Sequence, residues 1–157
     1  MSDTQEASRG VVVGAQGWQD KLEANKRAFV ADFAARPAFR AAFDSLTNEQ
    51  FVDRLFANAG VQPSRSERDD LVRALDGQTE TRAGALRRVA DNAEFAKREF
   101  DPAFVMMQYF GYLRRDPDEG GYQFWLSKLE QFGGDYVNAE MVKAFISSDE
   151  YRQRFGS

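Results

Sequence analysis

The stretch MVKAFISSDEYRQRF, residues 141–155, carries the helical pattern on which the fold depends, because weaker copies of it recur upstream. Its apolar positions reappear twice at a constant spacing. The matching positions are Val142, Phe145 and Tyr151, then Leu86, Val89 and Phe95, then Val30, Phe33 and Phe39. Self-similarity at a fixed period is the sequence sign of a repeated structural unit. We therefore predict a tandemly duplicated helical unit.

The predicted domain organisation follows from this repeat. A truncated unit over 18–45 precedes two fuller units over 46–100 and 101–157, and together they form a single compact helical domain. A chain of 157 residues has the length for one such domain. Residues 1–17 form an N-terminal extension that we expect to be partly flexible.

Helix start and stop signals divide the chain into short helices. Residues 47–50 (TNEQ) and 64–67 (SRSE) fit the capping box, in which the cap and the third residue satisfy each other's free N–H groups. Asp101 and Pro102 predict a helix start, because proline is favoured in a first turn, and Gly60 predicts a helix end. Apolar spacing between these signals is helical. The prediction is an all-α fold of about nine or ten short helices.

The composition argues against several classes of function. The chain has no cysteine and no histidine, which removes disulfides, thiolate nucleophiles and metal sites built on imidazole or thiolate. It also removes the commonest general base near neutral pH. We therefore expect no catalytic residues, no cofactor and no enzymatic activity.

The net charge of −4, with interspersed acidic and basic residues, argues against binding to nucleic acid. The chain also lacks the long apolar run of a membrane span.

Residues 109–126, YFGYLRRDPDEGGYQFWL, are the most distinctive part of the chain. They resemble a bacterial domain of unknown function, DUF4214, whose hallmark is a tyrosine helix, a G/R-R-x-P-D-x-x-G turn and a Trp-bearing helix. Residues 145–151 are similar to the closing F-x-x-S-x-E-[FY] element of that family. Residues 29–39 resemble segments that precede the signature in some members. The strong resemblance covers about 100–155, and 46–100 is a divergent copy without the Asp-x-x-Gly turn or the Trp.

This resemblance implies a fold akin to the helical linker domain of phycobilisomes, which joins other proteins. Members of the family commonly occur as modules of large secreted or surface proteins. The family has no assigned function. The resemblance therefore implies an interaction or assembly role, at the cell surface or outside the cell, for a module of a larger bacterial protein.

We call the turn over residues 114–121 (RRDPDEGG) the signature turn. Four residues in it or next to it are the binding candidates: Tyr112, Arg114, Arg115 and Tyr122. Aromatic rings stack on sugars and anchor protein interfaces, and the arginines suit an acidic partner or an anionic sugar. Structural roles compete with this interpretation. A helix C-terminus favours cations in any case, and Arg115 has Asp118 and Glu119 nearby as partners. Tyr109 and Trp125 are expected to face the core.

The acidic turn offers a weaker alternative, a calcium site made of Asp116, Asp118 and Glu119. Asp-x-Asp followed by Gly resembles the start of an EF-type loop. The full loop needs ligands over about twelve positions, and Phe124 and Trp125 cannot continue it. Asp118 is better explained as the N-cap of the next helix, so we expect no metal site.

Three functions are compatible with the sequence. The first is a non-enzymatic protein-interaction module of a larger exported protein, although residues 1–10 contain no signal peptide. The second is a carbohydrate-binding domain that uses Tyr112, Tyr122 and Arg115. The third is a small hydrolase that runs on carboxylates. The partner is expected to be a protein or a surface glycan, and the sequence predicts no oligomeric state.

Overall fold

The computed structural model describes residues 2–156, and over that range it contains ten α-helices, one π-helical turn and no strand. Met1, the first residue of the predicted extension, and Ser157, the last residue of the predicted final unit, lie outside the described residues. The predicted all-α fold is confirmed, and the tandem duplication stays a prediction. The elements are α1 (Ser2–Ser8), α2 (Trp18–Ala35), α3 (Pro37–Phe43), α4 (Asn48–Ala59), α5 (Arg65–Asp76), α6 (Arg82–Ala90), α7 (Ala93–Gln108), the π-turn (Tyr109–Leu113), α8 (Glu119–Gln131), α9 (Met141–Ser147) and α10 (Asp149–Phe155).

The helix ends follow local side-chain chemistry. Thr47 and Gln50 form the predicted capping box at the start of α4, with reciprocal hydrogen bonds of 3.2 and 3.0 Å. Ser64 accepts from the Glu67 N–H at the start of α5. Gly60 ends α4 in the left-handed conformation that glycine adopts without strain. These helix boundaries could be predicted from the sequence because each depends on residues that are only a few positions apart.

Pro102 corrects one boundary expectation. It lies inside α7 rather than in a first turn, because the helix begins further upstream. The Asn92 side-chain oxygen accepts from the backbone N–H groups of Glu94 and Phe95, at 3.0 and 3.2 Å, and so caps α7. The local Asp-Pro signal therefore gave the wrong start for this helix.

The described chain divides into two units, an amino-terminal unit of residues 2–96 and a carboxy-terminal unit of residues 97–156. No helix within residues 2–156 is long and apolar enough to cross a membrane.

The amino-terminal unit is organised around Phe51, which is fully buried. Burial of such a side chain contributes about 1.5–3 kcal/mol. Phe51 meets Phe43 edge-to-face at 5.5 Å, and the Arg82 guanidinium lies 4.8 Å from its ring centre. Arg82 also donates to the backbone oxygens of Phe43 and Leu46. One arginine therefore covers the core and satisfies carbonyl groups at the end of α3 and just after it.

The carboxy-terminal unit has its own core. Phe145, on α9, lies at its centre, with the rings of Tyr109 and Trp125 at 4.9 and 5.4 Å. Its buried members are Val105, Tyr109, Leu113, Leu129, Ala139, Met141 and Phe145. This core holds the signature turn against α9 and α10.

Candidate functional site

The signature turn is shaped by a close approach between Gly121 and Tyr109. Asp118 N-caps α8 by accepting from the Gly121 N–H at 2.8 Å, as predicted. A Cβ atom on Gly121 would lie 2.3 Å from the hydroxyl oxygen of Tyr109. The buried side chain of Tyr109 therefore leaves room only for glycine at position 121. Burial also raises the pKa of the Tyr109 phenol.

Arg115 is held in place from three directions. Its Nε and one terminal nitrogen donate to the two oxygens of Glu150, at 2.7 and 2.9 Å, and its other terminal nitrogen donates to the Asp116 carbonyl. The guanidinium lies 5.1 Å from the centre of the Tyr109 ring, and Asp118 is 3.5 Å away. We call this arrangement of Arg115 and Glu150 the arginine clamp.

The electrostatics of the arginine clamp favour both charged forms. The hydrogen bond from Arg115 lowers the pKa of Glu150, and Glu150 raises the pKa of Arg115. Bidentate arginine–carboxylate pairs are among the stronger polar contacts in proteins. Arg115, predicted as a binding residue, is thus engaged within its own unit.

The two predicted tyrosines face the core of this unit. Tyr112 is half-buried, with the rings of Phe145 and Tyr151 at 6.3 and 6.2 Å. Tyr122 is also half-buried and packs against the same core. Neither ring forms an open stacking platform. Their contacts agree with a structural role.

Arg114 differs from the other three candidates. It is exposed and adopts a left-handed backbone conformation with φ 54° after the π-turn. Its guanidinium lies 5.7 Å from the ring centre of Phe155, which is also exposed. Arg114 is therefore the most exposed of the four candidates.

The acidic turn does not assemble a metal site. Within residues 2–156, no group of three or more His, Cys, Asp or Glu side chains could hold a metal ion. Asp118 caps α8, and Glu119 accepts a hydrogen bond of 3.0 Å from Gln123. The predicted calcium ligands Asp116, Asp118 and Glu119 thus have no converging geometry.

An exposed aromatic surface in the carboxy-terminal unit was missed by sequence reasoning. We call it the aromatic ridge and define it as Phe100, Phe104, Tyr136 and Val137. The Phe104 ring lies between the rings of Phe100 and Tyr136, at 6.1 and 4.9 Å. Phe100, Tyr136 and Val137 are 58, 42 and 67 % exposed.

The ridge is supported by a structured turn. The Asp135 carboxylate accepts from the backbone N–H groups of Val137 and Asn138, both at 3.0 Å. The Asn138 N–H is the main reason that the pKa of Asp135 is lowered. Phe100 and Phe104 are four residues apart on one helix, which was the available sequence signal. Tyr136 lies far away in sequence, so no local pattern joins it to them.

The fold and these contacts define an all-helical module in which the signature turn is held by contacts within its own unit. Residues 87–155 match the family model described as Domain of unknown function (DUF4214). The match confirms the resemblance to that family over this segment. No curated protein and no solved structure matches the chain. The kinship with phycobilisome linkers therefore stays a prediction.

Proposed function

We propose that the chain is a non-enzymatic protein-interaction module of a larger exported bacterial protein. One observation carries the proposal. Of the eleven large apolar side chains that are exposed within residues 2–156, nine belong to the carboxy-terminal unit. Exposed apolar side chains that lie together mark interaction surfaces on soluble proteins.

The aromatic ridge is the surface that we assign to the partner. Its rings contact one another, and Tyr136 belongs to a turn that hydrogen bonds hold in place, so little conformational entropy is lost when a partner covers the rings. Aromatic anchors in a limited area commonly provide most of the binding energy of an interface. The arginine clamp supports the proposal indirectly, because it fixes the signature turn without occupying this surface.

Site-specific photocrosslinking tests the proposal. A photoreactive phenylalanine analogue at position 100 is compared with the same analogue at position 124, since Phe100 and Phe124 are 58 and 59 % exposed. Each protein is incubated with the extracellular and cell-surface proteins of its source and irradiated. We expect a discrete protein adduct from position 100 and none of that mass from position 124.

Two further variants separate binding from folding. Phe100→Ser is expected to abolish capture of the crosslinked partner, while Phe124→Ser retains it, with unchanged melting temperatures for both. Equal adducts from both positions, or the absence of any adduct, would contradict the proposal. An adduct with twice the mass of the chain would make a second copy the partner.

The other two functions lack a supporting observation. Carbohydrate binding through Tyr112, Tyr122 and Arg115 requires groups that are occupied by contacts within the unit. A carboxylate hydrolase requires a pair of acidic groups that flank the substrate, and the apolar cavity of the amino-terminal unit is lined by no Asp or Glu.

A further inference from the structure

The amino-terminal unit contains an apolar groove of about 550 Å³. Pockets that bind small molecules fall in the range of about 300–1,000 Å³ and are mostly apolar. The groove lies among α2, α3, α4 and α6. Its larger lining side chains include Phe33, Phe39, Phe43, Leu55, Leu86 and Phe95.

Small residues leave this groove open. Ala38 and Ala42 on α3 and Ala90 at the end of α6 line it and are exposed. Larger apolar residues at these positions would extend the core outward and fill the space. The groove thus has aromatic walls and an open side lined by alanine.

The polar lining of the groove is sparse. Arg36 and Asn58 are its two polar residues. The Arg36 guanidinium lies over the Phe33 ring, 5.0 Å from its centre, and is 5.6 Å from the centre of the Phe29 ring. A single cation therefore stands next to an apolar channel. This is the charge pattern that suits a ligand with one anionic head and one apolar tail.

A carboxylate of the chain itself already pairs with this cation. The two terminal nitrogens of Arg36 donate to the two oxygens of Asp3, at 2.9 and 3.0 Å. Asp32 accepts more distantly, at 3.4 Å. Arg36 is therefore oriented for bidentate recognition of a carboxylate, and Asp3 shows the position that such a group takes. Asp3 is on α1. Asn25 also tethers this helix, through hydrogen bonds of 3.3 Å to the Ala7 carbonyl on it and 2.8 Å to the Arg9 carbonyl just after it.

We propose that this groove binds a medium-chain alkyl carboxylate, with the tail along Phe33, Phe39 and Ala42 and the head on Arg36 in place of Asp3. Asp3 then acts as an internal competitor that the ligand displaces. The proposal concerns the amino-terminal unit and is independent of the interaction role assigned to the aromatic ridge.

Titration calorimetry with the full chain tests the proposal. The probes are decanoate, kept below its critical micelle concentration, and decanol, which has the same chain length without the charge. We expect decanoate to bind more tightly than decanol. Asp3→Asn should tighten decanoate binding several-fold, because the competing charge is removed, and leave decanol unchanged. Arg36→Gln should bring decanoate down to the affinity of decanol.

Two controls make the result specific. Arg40→Gln removes a neighbouring exposed cation that pairs with Asp44, and it should leave decanoate binding unchanged. Ala42→Trp fills the groove and should abolish binding of both probes while the melting temperature stays the same or rises. The proposal is overturned if neither probe binds, or if Ala42→Trp still binds them. It is also overturned if decanoate has the same affinity for the wild type as for Asp3→Asn.

Discussion

At the scale of single residues, Gly121 makes the sharpest prediction. Gly121→Ala places a methyl group 2.3 Å from the Tyr109 hydroxyl, and Tyr109 is too buried to move freely. Overpacking of this kind costs about 1–3 kcal/mol, which denaturant unfolding would measure. The matched control is Gly120→Ala, whose Cβ would meet the Asp118 carboxylate at an ordinary 3.6 Å, and which should be neutral or slightly stabilising.

A double variant checks the cause. Tyr109→Phe removes the hydroxyl that the new methyl group would meet, so Gly121→Ala should cost clearly less in that background. If the loss in the free energy of unfolding were the same in both backgrounds, the close approach to Tyr109 would not explain the glycine.

Arg115 makes a second prediction at this scale. Arg115→Lys keeps the positive charge but loses the two-pronged contact with Glu150. We expect the free energy of unfolding to fall by about 1 kcal/mol, the upper end for partly exposed ion pairs. Arg114→Lys, next to it and exposed, should change stability by less than half as much. Equal effects at the two positions would argue against a clamp.

For single residues, the sequence predicted a structural role only where the residue and its hydrogen-bond partner are close along the chain. Asp118 as an N-cap was predictable, because its acceptor geometry depends on Gly121 three residues on. The pairing of Arg115 with Glu150 was not predictable, because Glu150 is far away in sequence and Asp118 was the nearer candidate. Tyr112 and Tyr122 could not be assigned to the core, since the ring that Tyr112 packs on comes from α9.

At the scale of elements, the junction of α7 and the π-turn is the part that periodicity did not predict. Gln108, the last residue of α7, is 8 % exposed, and its side-chain oxygen has no hydrogen-bond partner among the described residues. A buried polar group without a partner costs about 1–3 kcal/mol. A helix-period pattern gives no sign of the extra residue in a π-turn, which is why a plain helix was expected here.

Gln108→Met tests this cost. Methionine keeps the length of glutamine and removes the polar atoms, so we expect the free energy of unfolding to rise by about 1 kcal/mol in thermal or denaturant unfolding. Gln131→Met, at the exposed end of α8, should have little effect. A destabilised Gln108→Met would mean that the amide makes a favourable interaction.

At the scale of the whole molecule, stability between pH 2.5 and pH 8 should depend on pH only in the acid part of that range. Hydrogen bonds to carboxylates lower the pKa of a set of acidic groups in both units. The set includes Asp53, Asp118, Asp135, Glu140 and Glu150. A lowered pKa in the folded state stabilises the fold above the ordinary values of 3.8 for Asp and 4.5 for Glu, and this contribution is lost as the pH falls through the lowered values.

Denaturant midpoints measured from pH 8 to pH 2.5 check this dependence. Between pH 6 and 8 the midpoint should be nearly constant, because the chain has no histidine and no cysteine to titrate. Below about pH 4.5 it should fall steadily, and Glu150→Gln should flatten that fall slightly. A midpoint that stays constant down to pH 2.5 would show that the hydrogen-bonded carboxylates contribute nothing.

The arginine clamp also determines how this fold responds to its chemical surroundings. Arg115 and Glu150 close a long loop by charge, in a chain without cysteine. A small domain that closes such a loop with a disulfide loses the cross-link under reductant. Here the closure is indifferent to thiols and oxidants and is weakened instead by salt and acid. The same turn can therefore form under reducing and under oxidising conditions.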